Sequence, residues 1–256
     1  PLVLYWVLRD YRFDTTQVRS RAEFLLRAAV VGLVFACLLL SYSRGGFLVF
    51  LSQLALWGLI VYKKTRPQFP VRNIIPVSVV IVVVALCSFL LMNGVRSNLH
   101  DVQEVGEKVT LSAAEGSSSV SERFGFWGQA LNLATQKPLL GWGPYSFRFV
   151  QPQLQREVLA TSDHPHNVVL KLLVERGILA TIVFAIVVGM VMYRATVQLL
   201  SDRIEVGSLK FSLRTLIFLG LTGVILHNMI DFNLQFVAIG LPFWLLLGIL
   251  MTYLDI

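Results

Sequence analysis

The run His164-Pro165-His166-Asn167 stands where a polar stretch of the chain gives way to a long apolar one. Histidine is the side chain whose unperturbed pKa, about 6.5, lets it take up a proton near neutrality, so His166 and His164 are candidate general bases. Two other readings of the pair stay open. A His-x-His spacing can ligate a metal, but only Asp163 stands nearby as a further ligand and no Cys or Glu-x-x-His pattern accompanies it. The pair can also serve only to open the helix that follows, with Asn167 as its cap or as a group that orients His166.

Ser41-Tyr42-Ser43-Arg44-Gly45-Gly46 forms a second constellation, set between two apolar segments with almost no connecting loop. Arg44 reads either as a snorkelling charge at a helix end or as an anion clamp, because guanidinium offers paired, planar donors that match phosphate oxygens. Arg123, at the start of a helix-like stretch, is either a solvated charge paired with Glu122 or Glu115, or part of a phosphate site at a helix N-terminus. The run His227-Asn228-Met229-Ile230-Asp231-Phe232-Asn233 places His227 and Asp231 four apart, and so predicts that they share a helix face. It is read either as a polar helix end or as a wall supporting the site, with Asp231 orienting a base. Lys171 and Glu175 are also four apart and predict an ion pair, and with Arg176 they suggest that this helix entry lines a wet cavity.

The elements that must hold these residues are membrane helices. Of the 256 residues, 55% are hydrophobic and only 14% charged, and mean hydropathy is +0.69. A soluble domain would carry roughly 25% charge. The net charge of +7 is spread over short loops between apolar runs, which does not suit a nucleic-acid partner. Cys37 and Cys87 lie within apolar runs and read as small hydrophobes. Six segments approach the length of about 20 residues that a bilayer demands: 24–43, 46–62, 74–93, 167–193, 213–231 and 236–254. The N-terminal stretch, the second and fourth connections and the C-terminal end together hold 13 of the 22 Lys and Arg with six acids, whereas the opposite side holds nine of each sign. The basic side is expected to be cytoplasmic, which turns Arg44, the loop 94–166 and the turn near Asp231 outward. One span more or fewer would put Arg44 and His166 on opposite faces.

The expected organisation is therefore all-α and polytopic. Residues 1–23 form a cytoplasmic loop after a truncated helix, 24–93 three transmembrane helices, 94–166 an extracytoplasmic loop with amphipathic helices, and 167–256 three further spans. The opening stretch Leu2–Leu8 suggests that the chain is the C-terminal part of a longer protein. Within the loop, 97–121 reads as a mobile polar segment. Phe126, Trp127, Ala130, Leu131, Leu133 and Ala134 then predict an amphipathic helix of about fourteen residues. Gly141-Trp142-Gly143-Pro144-Tyr145 reads as a turn, and 146–158 as a short polar helix.

Taken in order, these motifs resemble the O-antigen ligase / O-antigen polymerase family. The matching pieces are Ser43-Arg44-Gly45-Gly46, Arg123 with Trp127, the turn Pro138–Gly143, and His164-Pro165-His166-Asn167. The family's ligase signature runs from His166-Asn167 through nine residues to Gly177, and departs at Ala180, where Gly, Thr or Tyr is usual. The run His227–Phe232 also resembles a C-terminal feature of such proteins. The resemblance implies a GT-C-like all-α membrane enzyme of the bacterial cytoplasmic membrane with its site facing outward. It implies inverting, metal-independent glycosyl transfer without a cofactor. The donor would be an undecaprenyl-diphosphate-linked glycan, and the acceptor a sugar hydroxyl on lipid A–core or on another glycan. Arg44 and Arg123 would bind the diphosphate, His166 would act as base with His164 in reserve, and Asn167, His227 and Asp231 would support it.

A transporter or flippase for a lipid-linked glycan or small anion would use the same arginines without making a bond. A scaffold subunit offers no reason for clustered outward Arg and His. Formation of a transferred or lengthened glycan separates the enzyme from both.

Overall fold

The computed structural model describes residues 18–41, 43–65, 71–99, 116–154, 162–201 and 209–252. The truncated helix expected at Leu2–Leu8, Tyr42 and most of the segment 97–121 lie outside these. Among the described residues all regular structure is helical. The helices are α1 (Val18–Leu40), α2 (Arg44–Thr65), α3 (Val71–Leu99), α4 (Gly116–Gln136), α5 (Phe147–Val150, continued by a 3-10 turn, Gln151–Leu154), α6 (Val168–Leu200), α7 (Leu209–Asn228), a 3-10 turn (Asn233–Gln235) and α8 (Val237–Thr252). The chain divides into two compact units, Pro1–Val109 with Gln198–Gly220, and Thr110–Val197 with Leu221–Ile256.

In the first unit α1 packs along α3. Small residues make the approach close: Ala36 and Ala85 are buried, and a Cβ on Gly32 would stand 2.6 Å from that of Val84. Phe35 gathers Phe47 and Phe50 of α2, with ring centroids 6.0 and 5.4 Å away. Gln53 donates to the Leu219 carbonyl at 2.8 Å and ties α2 to the first part of α7.

In the second unit the core is Phe126, Ala130 and Leu133 of α4 against Phe147 and Val174. The spacing 126, 130, 133 puts one stripe of α4 inward, as the periodicity predicts. The helix itself is longer than expected, 21 residues from Gly116, so Gly116–Ser119 open it rather than closing the polar segment before it. The expected helix over 146–158 is a four-residue α-helix and a 3-10 turn as far as Leu154; 155–158 lie outside the described residues.

Val168–Leu200 and Lys210–Asn228 are long and apolar enough to cross a membrane, and the apolar stretches Ala29–Leu40, Arg44–Ile60, Ile81–Val95 and Val237–Thr252 are shorter. Large apolar side chains stand exposed along these helices, among them Leu48, Leu90, Val183, Ile186 and Leu245. A surface of that kind suits lipid rather than water.

Helix α6 is broken one-third of the way along. Gly177 has φ 76° and ψ 179°, a conformation open only to glycine. Three backbone bonds replace those the break removes. Ile178 N–H would otherwise bond to Val174, but it donates to the Pro138 carbonyl at 2.8 Å. The Val174 carbonyl instead accepts from Trp142 N–H at 2.7 Å, and the Glu175 carbonyl from Gly143 N–H at 3.1 Å. The turn 138–143 thus supplies the broken helix with the backbone partners it lost, which a segment shielded from water cannot do without. Gly141 (φ 69°) is part of the same fit, since a Cβ there would stand 2.6 Å from the Val174 carbonyl oxygen.

A Cβ at Gly177 would fall on the Leu139 carbonyl as well as straining the backbone. Gly177→Ala is expected to cost at least about 1–3 kcal/mol. Gly189→Ala, in the same helix with open space around it, is expected to be neutral or stabilising. Thermal unfolding of the two variants in detergent checks this, and equal midpoints would mean that the break is not a constraint.

Candidate active site

The site is built in the second unit, where the segment 162–167 meets the start of α6 and the turn after α7. Asn167 sets the junction. Its side-chain oxygen accepts from Val169 N–H at 2.9 Å and Leu170 N–H at 3.0 Å, an N-cap for α6. Its amide donates to the Met229 carbonyl at 2.8 Å. One residue therefore starts the helix and pins the 229–235 turn beside it.

His166 precedes this cap in the left-handed region, with φ 50°. Non-glycine residues rarely adopt it, but His, Asn and Asp do so more than most. The conformation turns the ring toward the turn. Its Nδ1 lies 3.5 Å from Asp231 Oδ1, with about a quarter of each side chain exposed (26% and 28%). That distance is within reach of an ion pair with a protonated ring and too long for a formed hydrogen bond, and Nδ1 is otherwise unpartnered. The Nε2 atom lies 3.2 Å from Ser162 Oγ. Two rings enclose the imidazole: Phe126 of α4 stacks at 6.2 Å and Phe232 meets it edge-on at 4.9 Å.

Asp231 does not share a helix face with His227. Helix α7 ends at Asn228, because the Asn228 side chain takes the Leu234 N–H at 2.8 Å and folds the chain into a turn. Asp231 lies in that turn and faces His166, whereas His227 Nδ1 takes a hydrogen bond from the Asn233 amide at 2.8 Å. Burial alone would raise the Asp231 carboxyl. The His166 ring, the Phe232 N–H at 2.9 Å and the nearby His227 outweigh it and hold the carboxyl below its ordinary value.

His164 is buried and spends both ring nitrogens on neighbours. Lys171 Nζ lies 2.9 Å from its Nδ1. An ammonium can only donate, so Nδ1 accepts and the proton of the neutral ring sits on Nε2. Gln235 faces that Nε2 at 3.0 Å. The Gln235 oxygen would be buried without a partner if the amide nitrogen pointed here. With the amide turned over, its oxygen accepts from His164 Nε2–H, as the tautomer set by Lys171 requires. The Lys171 ammonium also holds Glu175 at 2.8 Å, the ion pair that the i, i+4 spacing predicts. Burial and the Lys171 charge push the His164 ring below the usual histidine value, against smaller opposing pulls from Glu175 and Asp163.

Arg123 is half-buried on α4, one turn before Phe126 and on the same side of the helix. Arg44 belongs to the first unit. Ser43 caps α2 there, its oxygen accepting from Gly46 N–H at 3.0 Å, and exposed Arg44 is the first residue of the helix. The Ser-Arg-Gly-Gly motif is thus a capped helix start that adds a cation to an N-terminal end already positive. Among the described residues no three His, Cys, Asp or Glu side chains gather as a metal site requires. Sequence reasoning did not single out Ser162, Gln235, Phe126 or Phe232 as neighbours of the histidines. No short-range spacing joins Gln235 or Phe126 to them, so only the fold reveals the contact.

Among the described residues, a helical scaffold with exposed apolar surfaces that places a histidine beside a carboxylate at a helix entry suits a membrane protein with a polar site. The model of the O-antigen ligase family matches residues 29–185, well over half of the chain. The chain belongs to that family. The matched region takes in Arg44, Arg123, the 138–143 turn, both site histidines and Gly177, and it stops before Asp231. The family's members are bacterial inner-membrane proteins, and their chemistry is glycosyl transfer in O-antigen and polysaccharide biosynthesis. No curated protein and no solved structure matches the chain.

The neutral ring of His164 ties protonation to stability. Its contribution is complete above about pH 6.5, the unfolded-chain value, and is lost as pH falls from there toward the depressed folded value. Asp231, also depressed, loses its contribution only in the lower carboxylate range. Unfolding midpoints are expected to drop between pH 7 and 5.5 in the wild type and to drop less in His164→Gln. Parallel curves would mean that His164 is not held neutral.

Proposed function

We propose that this chain transfers a glycan from an undecaprenyl-diphosphate carrier to a sugar hydroxyl at the outer face of the cytoplasmic membrane, as an O-antigen ligase or polysaccharide polymerase. The observation that carries the reading is the His166 ring. It is partly exposed, faces a carboxylate across one nitrogen, and packs against the helix that bears Arg123.

In the proposed step the acceptor oxygen attacks the anomeric carbon while its proton passes to His166 Nε2. The bond from that carbon to the diphosphate oxygen breaks, and the electron pair leaves on the diphosphate. Direct displacement inverts the anomeric configuration. Asp231 supports the imidazolium as it forms. Charge that develops on the leaving group calls for fixed positive groups, and Arg123 is assigned that role. Arg44 is assigned to the diphosphate on the family resemblance. The acceptor is a sugar hydroxyl of lipid A–core or of a growing glycan. His164, with both nitrogens engaged, is assigned to positioning, and Asn167 and His227 hold the segments on either side. The step as written uses no metal and no cofactor.

The test is transfer by the protein in vesicles holding a lipid-diphosphate glycan and candidate acceptors. His166→Ala is expected to lose about 10²–10⁴-fold in rate. Arg123→Ala and Arg44→Ala should each lose roughly 10²–10³-fold, as for removal of one transition-state charge partner. Asp231→Asn is expected to lose less than His166→Ala. Transfer near the wild-type rate in His166→Ala would remove it as the base. Movement of the lipid-linked glycan across the membrane with no bond made would favour the transporter instead.

A further inference from the structure

Ser162 holds the only side-chain oxygen that touches His166 Nε2 among the described residues, and its own proton is committed elsewhere. Its Oγ lies 2.7 Å from the His164 carbonyl, its shortest contact. A carbonyl can only accept, so the hydroxyl donates there. The same Oγ takes the His164 N–H at 3.3 Å. Toward His166, at 3.2 Å, it therefore presents a lone pair. Asp231 presents a carboxylate oxygen to the other nitrogen. A neutral imidazole has one N–H and one lone pair and suits an acceptor on one side only. An imidazolium has two N–H groups and suits both.

We propose that Ser162 is a positioning residue that stabilises the imidazolium of His166, the charge state that appears as the acceptor hydroxyl gives up its proton. This rests on His166 being the base. Before transfer the proton is shared with the acceptor oxygen. Afterwards that oxygen belongs to a glycosidic bond and is a poor acceptor, so the new Nε2–H turns to Ser162 Oγ. Groups better matched to the charged product of proton transfer than to the neutral ring favour the transition state over the ground state. The segment also fixes the oxygen in place. Ser162 and His164 bond reciprocally across two residues, and the His164 ring is locked between Lys171 and Gln235.

The charged and titratable groups around His166 are Asp231 and His227 from the α7 end and turn, His164 and Asp163 on its own segment, Lys171 and Glu175 from α6, and Glu122 and Arg123 one turn from Phe126 on α4. None of them supplies an oxygen to Nε2, so Ser162 can be tested separately.

Transfer is measured against pH for the wild type, Ser162→Ala, Ser162→Cys, Ser162→Thr and His166→Ala. Loss of the acceptor disfavours the protonated ring, so the acid limb of Ser162→Ala is expected to move to lower pH by about half to one unit. Its plateau should fall about three- to tenfold, as expected for one hydrogen bond. Ser162→Cys keeps the volume with a weaker acceptor and should move the same way by less. Ser162→Thr keeps the hydroxyl and should restore the limb. An acid limb unchanged in both Ala and Cys variants, whatever their plateau, overturns the proposal. If only one of the two accumulates folded, its limb decides. Transfer retained by His166→Ala overturns the underlying reading instead, whereas an inactive His166→Ala beside an unmoved Ser162 limb overturns the role of Ser162 alone.

Discussion

The second unit depends on an exchange of backbone hydrogen bonds. A helix that enters a low-dielectric region cannot leave amides bare, because each unpaired group costs several kcal/mol there. Helix α6 is nonetheless broken at Gly177, and Pro138, Trp142 and Gly143 supply the missing partners. This fixes the end of α4 against α6, since Trp142 also donates its indole N–H to the Leu133 carbonyl at 2.9 Å. The α4 stripe then lies against Val174 in the core, and Phe126 at its far end comes to stack on His166. The break and the stacked ring are two ends of one packed stripe.

Two histidines separated by a single proline meet different neighbours because of where their nitrogens fall. His164 meets an ammonium on one side and a neutral amide on the other, an environment that rejects a second proton. His166 meets a carboxylate oxygen on one side and a hydroxyl oxygen on the other. The difference between the two rings comes from these neighbours, of which Lys171, Gln235 and Asp231 lie on other elements of the fold.

The candidate residues were legible as types and spacings. The His-x-His-Asn run, Arg44, Arg123 and the Lys171–Glu175 pair depend on local pattern. The apolar stripe of α4 follows helical period, although its start at Gly116 was hidden by a Gly/Ser composition that usually signals loop. Each of the six expected apolar segments overlaps a helix, and among the described residues Val168–Leu200 and Lys210–Asn228 are both long and apolar enough to cross a membrane. Asp231 was legible as a neighbour of the site but not in its geometry. A four-residue spacing predicts one helix face only if the helix continues, and Asn228 ends it by capturing the Leu234 amide. Gly177 was visible in the sequence, but its role was not. A carbonyl more than thirty residues away decides why only glycine fits there, and no periodicity encodes that.

The left-handed backbone at His166 narrows what the position can become. A β-branched or bulky residue would have to abandon the φ of 50° and release Asn167 from its cap, so its effect would mix lost chemistry with a lost junction. Asparagine and glycine keep the backbone while removing the proposed base, and aspartate keeps both the backbone and a proton acceptor. Drift at this position is therefore channelled. Under the proposed mechanism, a relative that has given up transfer should carry Asn or Gly here over an intact fold, and one that keeps a proton acceptor of another kind has aspartate as the readiest route.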